Sequence, residues 1–141
     1  MKSDLRVHIA TVGFQIKRIT EPLIRERADK VYLITHSQDD KAVPYIEKIS
    51  KLLRKEKFLK VEKRTTNIWD LFECLQTYKK IIKEEEPNAH IYLNVSTGSK
   101  VSSIAGTLAC MIWKGSYIQL LQIRHQLCCT SSILLIYANS L

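Results

Sequence analysis

The stretch HIYLNVSTGSK, residues 90–100, is the part of the sequence that says most about the fold. Its first half is apolar and reads as a buried strand, and the residues that follow it carry apolar side chains at helical spacing. Small hydroxyl residues and Gly98 lie between the two. A strand that turns directly into a helix leaves backbone N–H groups unpaired at the positive end of the helix dipole, where anions bind. The loop therefore indicates a site for phosphate or another anionic or strongly polar ligand, with Lys100 adding a full charge.

This loop matches neither of two common phosphate-binding motifs. It lacks the GxxxxGK[ST] pattern of a Walker A loop and the GxGxxG pattern of dinucleotide-binding folds. The alternative interpretation is an ordinary strand-to-helix turn in which a serine or threonine caps the helix. The motif by itself leaves both interpretations open.

Length and composition narrow the class of protein. The chain has 141 residues, of which 45% are hydrophobic and 26% are charged, as is typical of a single soluble globular domain. The first residues do not read as a secretory signal, and no apolar run reaches the ~18 residues of a membrane span, which predicts a cytoplasmic protein without a membrane contact. The net charge of +8 favours acidic partners such as nucleotides. The lysines between residues 48 and 64 are typical of a solvated helix face.

The cysteines do not have the spacing of a metal site. Cys74 and Cys110 fall inside helix patterns, and Cys128 and Cys129 are adjacent. We therefore expect buried reduced thiols, no bound metal and no cofactor.

Strand-like and helix-like segments alternate along the chain. Predicted strands are residues 6–12, 31–35, 59–65 and 90–93, with a fifth possible strand over 117–123. Residues 14–19 are predicted as a loop. The predicted helices are residues 20–28 with Thr20 as N-cap and Pro22 in the first turn, residues 41–55, a third helix capped by Asn67 with Asp70 in the capping-box position, and a fourth over 101–112.

Helical spacing also predicts which side chains face the core. The expected inner face of the second helix is Val43, Ile46, Ile49, Leu52 and Leu53, and that of the third is Ile68, Leu71, Phe72, Leu75 and Ile82.

The alternation predicts an α/β fold, a Rossmann-like three-layer sandwich with a mostly parallel central sheet in strand order 3-2-1-4 plus C-terminal strands. The third strand is too charged for the middle of a sheet and is placed at an edge. The first and fourth strands then lie side by side where the winding direction reverses, and ligands of such sheets bind beyond the carboxyl ends of those strands. Gly13 and Gly98 fall in the two loops at that point.

Three segments together resemble a known family. With ATVGF ending the first strand, ADKVYLITH as the second, and NVSTGSK after the fourth, the chain resembles the CARF domain, the CRISPR-associated Rossmann fold. The likeness is to archaeal transcriptional regulators that join such an N-terminal domain to a winged helix-turn-helix. It places the CARF-like domain at residues 1–122 and leaves residues 123–141 as an atypical tail with a possible extra strand. We expect no winged-helix effector domain in this sequence, so DNA would be contacted only through that missing domain.

The resemblance implies a ligand, a partner and a set of site residues. CARF domains are homodimers whose sites meet at the symmetry axis and bind cyclic oligoadenylates of type III CRISPR systems. The residues implied to line the site are Thr11, Gly13, Phe14, Asn94, Ser96, Thr97, Gly98, Ser99 and Lys100. The small residues Ala105, Gly106 and Ala109 would allow close approach either of a partner helix or of the domain's own sheet.

Three functions remain open at this point. The first is a ligand-sensing domain that binds cyclic oligoadenylate or a related nucleotide without catalysis. The second is a metal-independent ring nuclease that cleaves the same ligand, with Lys100 as an electrostatic stabiliser, although neither His8 nor His36 is well placed as a base. The third is a DNA-binding regulator that acts through the basic second helix, although no helix-turn-helix signature is present.

Overall fold

The computed structural model describes residues 5–38, 40–55, 59–113 and 118–121. Its elements in chain order are β1 Arg6–Thr11, α1 Lys17–Arg25, β2 Lys30–His36, the short 3-10 helix Asp40–Ala42, α2 Val43–Leu53, β3 Lys60–Thr66, α3 Leu71–Glu84, β4 His90–Asn94, α4 Lys100–Ile112 and β5 Ile118–Leu121. The predictions made for the tail 123–141, with Cys128 and Cys129, and for residues 117, 122 and 123 of the fifth strand, lie outside the described residues.

The strands form a parallel sheet in the order β3-β2-β1-β4-β5. β1 occupies the middle, where Ile9 pairs with Tyr32 of β2 on one side and with Leu93 of β4 on the other. This order confirms the predicted α/β Rossmann-like class and the adjacency of the first and fourth strands. It also places β3 at the edge, as its charge predicted.

Two apolar layers pack on opposite faces of this sheet. Val7 and Ile9 of β1 point toward α3 and α4, whereas Ala10 and the following Val12 point toward α1 and α2. Because β1 and β2 are covered on both faces, they read in the sequence as nearly continuous apolar runs. The three-layer sandwich follows directly from this pattern.

The first helix begins earlier than predicted. α1 starts at Lys17, inside the segment predicted as a loop, and Thr20 is a buried residue of the helix whose hydroxyl donates to the Ile16 carbonyl at 3.3 Å. The prediction that Thr20 caps the helix was therefore wrong. Pro22 lies in the helix interior, where its missing N–H leaves the Arg18 carbonyl without its helical donor. Nδ2 of Asn94 donates to that carbonyl at 2.8 Å, so a contact from β4 replaces the lost hydrogen bond.

The cap of the third helix also differs from the prediction. Asp70, rather than Asn67, is the N-cap of α3, and its side chain accepts a hydrogen bond from the Glu73 N–H at 2.9 Å. Asn67 instead accepts from the Trp69 N–H at 3.2 Å in the turn before the helix. Both residue types favour caps, and the Glu73 carboxylate accepts from the Asn67 N–H at 3.3 Å, which ties the turn before the helix to the first turn of α3.

The inner faces of two helices are rotated relative to the prediction. α3 buries Cys74, Tyr78 and Ile81, and Phe72 is 72% exposed. The other residues predicted for the α3 face, Ile68, Leu71, Leu75 and Ile82, are only partly buried. On α2 the predicted Ile46, Ile49 and Leu53 are buried, whereas Val43 and Leu52 are each 47% exposed.

The small residues of α4 pack within their own chain. Ala105 and Ala109 are fully buried in the layer between the sheet and α3. A Cβ added to Gly106 would lie 3.1 Å from Cγ1 of Val95 and 3.9 Å from Cε2 of Tyr78. Of the two predicted uses of these residues, close approach to the domain's own core is the one that the structure has.

Cys74 and Cys110 are free thiols, and burial raises the pKa of Cys74 to about 11 and that of Cys110 to about 12. Within the described ranges no cluster of three or more His, Cys, Asp or Glu side chains has the arrangement of a metal site. Nor does any helix in those ranges combine the length and the apolar character that a bilayer crossing requires.

Candidate functional site

The loops that follow β1 and β4 touch each other. A Cβ added to Gly13 would lie 3.3 Å from the backbone nitrogen of Gly98, so no side chain fits easily between the two loops. The register that pairs Ala10 with Asn94 brings both strands to the same edge of the sheet. We call the two loops, residues 12–16 and 95–99, together with the first turn of α4, the cradle.

Gly98 cannot be replaced without a clash. Its φ is +88°, a conformation that other residues rarely adopt. A Cβ there would lie 2.6 Å from Cβ of Thr11 and 2.8 Å from Oγ of Ser102. The glycine is what allows the second loop to descend onto the end of β1.

Serine hydroxyls anchor the start of α4. Ser99 is the N-cap, and its Oγ accepts from the Ser102 N–H at 3.0 Å while donating to the Ile68 carbonyl. Ser103 donates to the Val95 carbonyl at 2.9 Å. Because the Ser99 hydroxyl is occupied by these two contacts, its part in the cradle is to hold the helix terminus in place.

Several polar groups of the cradle have no partner in the described part of the chain. No hydrogen bond is made there by the backbone N–H groups of Gly98, Lys100 and Val101. The Thr97 side chain is 7% exposed, and its Oγ1 has no hydrogen-bond partner. Burying the Thr97 hydroxyl unpaired costs about 1–3 kcal/mol, and a polar or anionic ligand would satisfy both this hydroxyl and the more accessible N–H groups.

Asn94 and Ser96 form a tight turn at the end of β4. Oδ1 of Asn94 accepts from the Ser96 N–H at 3.0 Å and from the Ser96 hydroxyl at 2.6 Å. A guanidinium N–H of Arg18 donates to the Ser96 carbonyl at 3.3 Å. Arg18 belongs to α1, so this turn is joined to the first helix by both the backbone and the side chain of a single residue.

Two cations flank the cradle. Lys100 is exposed at the first position of α4, and Arg18 is half-buried on the side of α1. Neither takes part in an ion pair among the described residues, whose ion pairs involve residues of β2, β3 and the ends of α1 and α3. The charge at this edge of the sheet is therefore positive and uncompensated by the described side chains.

Phe14 lies at the outer end of the first loop. Its ring is 71% exposed and meets the ring of Tyr45 edge-on, with centroids 5.4 Å apart.

Thr11 differs from Phe14 in being buried, with Oγ1 3.4 Å from the hydroxyl of Tyr78. Burial raises the pKa of Tyr78 to about 12, so that hydroxyl stays protonated, and it donates to the Ser102 carbonyl at 3.1 Å.

The structure thus brings together Gly13, Asn94, Ser96, Thr97, Gly98, Ser99 and Lys100, with Thr11 beneath Gly98 and Phe14 at the rim. Arg18 is not among the residues predicted for the site, because residues 14–19 were predicted as a loop. Pro22, four residues after Arg18, was the signal that a carbonyl at position 18 needs a donor from elsewhere.

His8 lies away from the cradle. It is 2% exposed inside β1 and stacks on Tyr92 with ring centroids 4.7 Å apart. Burial lowers the pKa of His8 to about 4, which keeps the ring neutral near pH 7. This position and this pKa agree with a structural role for the ring.

Solved structures share this fold at low sequence identity. Csm6 of Enterococcus italicus, bound to cyclic hexa-2'-fluoro-hexa-dAMP, aligns with a TM-score of 0.75 over 89% of this chain and 35% of its own, at 14% identity. Can2 of Sulfobacillus thermosulfidooxidans, in complex with cyclic tetra-adenylate, aligns with a TM-score of 0.61 over 82% of this chain and 31% of its own, at 12% identity. Protein VC1899 of Vibrio cholerae aligns with a TM-score of 0.63 over 77% of this chain and 28% of its own, at 12% identity. These likenesses show that the chain shares an α/β Rossmann-like fold with these proteins.

Sequence comparison gives a nearer relative and a family. The uncharacterized protein MJ1513 of Methanocaldococcus jannaschii is 35% identical over 111 residues, which are 75% of this chain and 33% of that protein. The chain therefore spans about a third of the length of this relative and of the similar structures. The family described as HFX_2341_N:-like, N-terminal matches residues 6–124. With that match over most of its length, the chain belongs to the HFX_2341_N:-like, N-terminal family.

Proposed function

We propose that this domain is a sensor that binds a cyclic oligoadenylate, or a related nucleotide messenger, in the cradle. The observation that carries the proposal is the set of unpaired polar groups at one point. The free N–H groups of Gly98, Lys100 and Val101 and the buried hydroxyl of Thr97 all lie where the two loops meet. A phosphodiester supplies acceptor oxygens for the amides, and ribose or adenine groups supply partners for the hydroxyl.

The charge at the cradle supports an anionic ligand over a neutral one. Lys100 and the N-terminus of α4 present positive charge from one side and Arg18 presents it from the other. The CARF-like fold shared with Csm6 and Can2, whose structures contain cyclic nucleotide ligands, supports the same ligand class.

Thermal unfolding with added ligand tests this proposal. At a hundredfold excess over Kd a ligand that binds only the folded state stabilises it by about 2.7 kcal/mol, which for a domain of this size raises the melting temperature by about 10 °C. We expect cyclic tetra-adenylate or cyclic hexa-adenylate to raise the melting temperature by this amount. AMP, a single nucleotide, should raise it much less at the same concentration. Absence of any shift with either ring would refute the proposal. Liquid chromatography of the same samples separates binding from cleavage, because linear products require catalysis.

A matched pair of lysine variants tests the location of the site. Lys100→Gln removes the charge at the start of α4 and is expected to weaken ligand binding about tenfold, the usual loss when a hydrogen bond to a charged group is removed. Lys79 is an exposed lysine of α3, and Lys79→Gln serves as the control with the same change in net charge. Equal affinities of the two variants would place the ligand elsewhere.

We also propose that the domain acts as a homodimer through α4. Lys100 is the only charged residue of this helix, and besides its buried side α4 exposes Ile104, Met111 and Ile112 at 54%, 61% and 60%. Val101 and Leu108 lie on the same stripe and are half-buried. A helix that is apolar on both sides is normally covered on both. A second copy of the same uncharged stripe is a suitable cover, because two such stripes meet without opposing charges.

The position of α4 gives the dimer a function. Its N-terminal turn is part of the cradle, so a two-fold axis along this helix would set two cradles side by side and let one cyclic ligand contact both. Ile104→Glu is expected to yield monomers in analytical ultracentrifugation and to weaken binding of a cyclic ligand. Ile24→Glu is the control, since Ile24 is 53% exposed on α1, on the opposite face of the sheet. Monomeric wild-type protein that still binds the ligand tightly would count against the dimer.

The output of the sensor, in CRISPR-associated signalling or in transcriptional regulation, is proposed to lie in an effector unit that the domain controls. The chain covers 33% of the M. jannaschii relative, which supports an output made by another part of such proteins. In this proposal DNA is contacted through that unit, and the domain works in the cytoplasm, where nucleotide messengers are made.

A further inference from the structure

Arg18 is held beside the cradle by contacts that leave most of its donors unused. Its guanidinium makes one hydrogen bond among the described residues, to the Ser96 carbonyl at 3.3 Å, a long and therefore weak contact. A guanidinium has five N–H donors, and four of them are free here. The side chain is half-buried, so these donors are only partly compensated by water.

The backbone of Arg18 is fixed more firmly than its side chain. Pro22 cannot donate to the Arg18 carbonyl, and Nδ2 of Asn94 takes that place at 2.8 Å. This bond fixes the orientation of the Asn94 amide, because Nδ2 is then on the α1 side and Oδ1 faces Ser96. The start of α1 and the end of β4 therefore form one rigid unit, from which the guanidinium projects along the loop of the cradle.

Like charges gather at this point without an opposing one. The Arg18 side chain, the positive end of the α4 dipole and Lys100 flank the same loop, and no described acidic side chain pairs with either cation. If Arg18 served only to hold the Ser96 carbonyl, a permanent cation would not be required, since a neutral amide can also donate to a carbonyl. That contact therefore explains neither the charge of Arg18 nor its unused donors.

We propose that Arg18 closes the phosphate site from the α1 side, donating two parallel hydrogen bonds to the non-bridging oxygens of a phosphodiester held at the N-terminus of α4. Asn94 and Pro22 are positioning residues that aim it. The inference rests on the proposed function and deepens it, because it specifies a group with two equivalent anionic oxygens, which the planar guanidinium fork matches and a lysine does not.

Three variants test the proposal by calorimetric titration with cyclic tetra-adenylate and cyclic hexa-adenylate. Arg18→Gln removes the charge and the guanidinium fork, and we expect about tenfold to hundredfold weaker binding. Arg18→Lys restores the charge without the fork, and we expect binding to stay at least about fivefold weaker than in the wild type. Lys17→Gln, a charge removal at the neighbouring exposed position, is expected to change Kd by less than about twofold.

The unfolding midpoint of each variant separates binding from folding. Arg18→Gln should unfold within a few degrees of the wild type, because the contact that it loses to the Ser96 carbonyl is long and weak. Wild-type affinity in Arg18→Gln would overturn the inference, and full recovery in Arg18→Lys would overturn the two-bond geometry.

Inorganic pyrophosphate distinguishes this inference from the proposed function. If the wild type binds neither cyclic ligand, the proposed function fails, and the role of Arg18 is then decided by thermal shifts with millimolar pyrophosphate. A shift in the wild type that Arg18→Gln loses and Lys17→Gln keeps supports an oxyanion site at Arg18. The same shift in all three proteins, or no shift in any, overturns it.

Discussion

Replacing Gly98 by alanine is the sharpest test of how the cradle is built. The new methyl group would lie 2.6 Å and 2.7 Å from Cβ and Cγ2 of Thr11 and 2.8 Å from Oγ of Ser102. These neighbours cannot move aside easily, because Thr11 belongs to the central strand β1 and Ser102 to the first turn of α4. Overpacking of this kind costs about 1–3 kcal/mol.

The backbone at Gly98 adds a second cost. Its φ of +88° is open to glycine, whereas an L-residue in the left-handed region loses about 1–2 kcal/mol. The two terms together predict that Gly98→Ala lowers the free energy of unfolding by about 2–5 kcal/mol, a large part of the stability of a typical domain. With a urea m-value of about 2 kcal/mol/M, the midpoint should fall by about 1–2.5 M.

Gly13→Ala is the matched control for this measurement. A Cβ at Gly13 would be 3.3 Å from the Gly98 nitrogen, a contact that a shift of a few tenths of an ångström relieves, and its φ is not in the left-handed region. We expect it to cost less than about 1 kcal/mol. If Gly98→Ala cost no more than Gly13→Ala, the account of the two loops as closely packed at Gly98 would be refuted.

Three further changes have defined outcomes. Because the pKa of His8 is lowered to about 4 in the folded state from about 6.5 when unfolded, stability should fall by about 3 kcal/mol as the pH drops from 6.5 to 4, and urea unfolding of His8→Phe should lack this slope. Asn94→Asp places an acceptor against the Arg18 carbonyl in place of a donor and should cost about 1–3 kcal/mol in thermal unfolding. Glu85→Gln removes the nearer of the two carboxylates that pair with Lys30, at 2.7 Å, and leaves Glu62 at 3.4 Å, so it should cost about 1–2 kcal/mol in urea unfolding, whereas an effect under about 0.5 kcal/mol would mark the pair as surface-like.

The sheet could be predicted because its signals are local. The apolar run of β2, the charged edge strand β3 and the strand–loop–helix pattern at Gly98 are each read within a few neighbouring residues. The strand order followed from placing the charged third strand at the edge of a parallel sheet of alternating strands and helices. The contact of the two loops is therefore predictable from the sequence.

The missed features depend on contacts between distant residues. The start of α1 was misplaced because Pro22 normally marks a first turn, and the contact that makes it acceptable in the interior joins residues that are 76 positions apart. The cap of α3 was misassigned because Asn67 and Asp70 are equally good caps by type, and residue type does not tell which side chain accepts from an N–H of the first helical turn. Arg18 was missed because it, too, is placed by a contact between distant residues, namely with Ser96, 78 positions away.

The hydroxyl of Ser99 connects the cradle to an optical reporter that the chain already contains. It donates to the Ile68 carbonyl, and the next residue, Trp69, is 65% exposed and tied by its own N–H to Asn67. A ligand that shifts the backbone at Ser99 should also move the turn at residues 67–69, and the solvent exposure of the Trp69 indole then changes. The emission maximum of Trp69 should therefore follow occupancy of the cradle without any attached dye, and a Trp69→Phe protein should lose that signal while still binding.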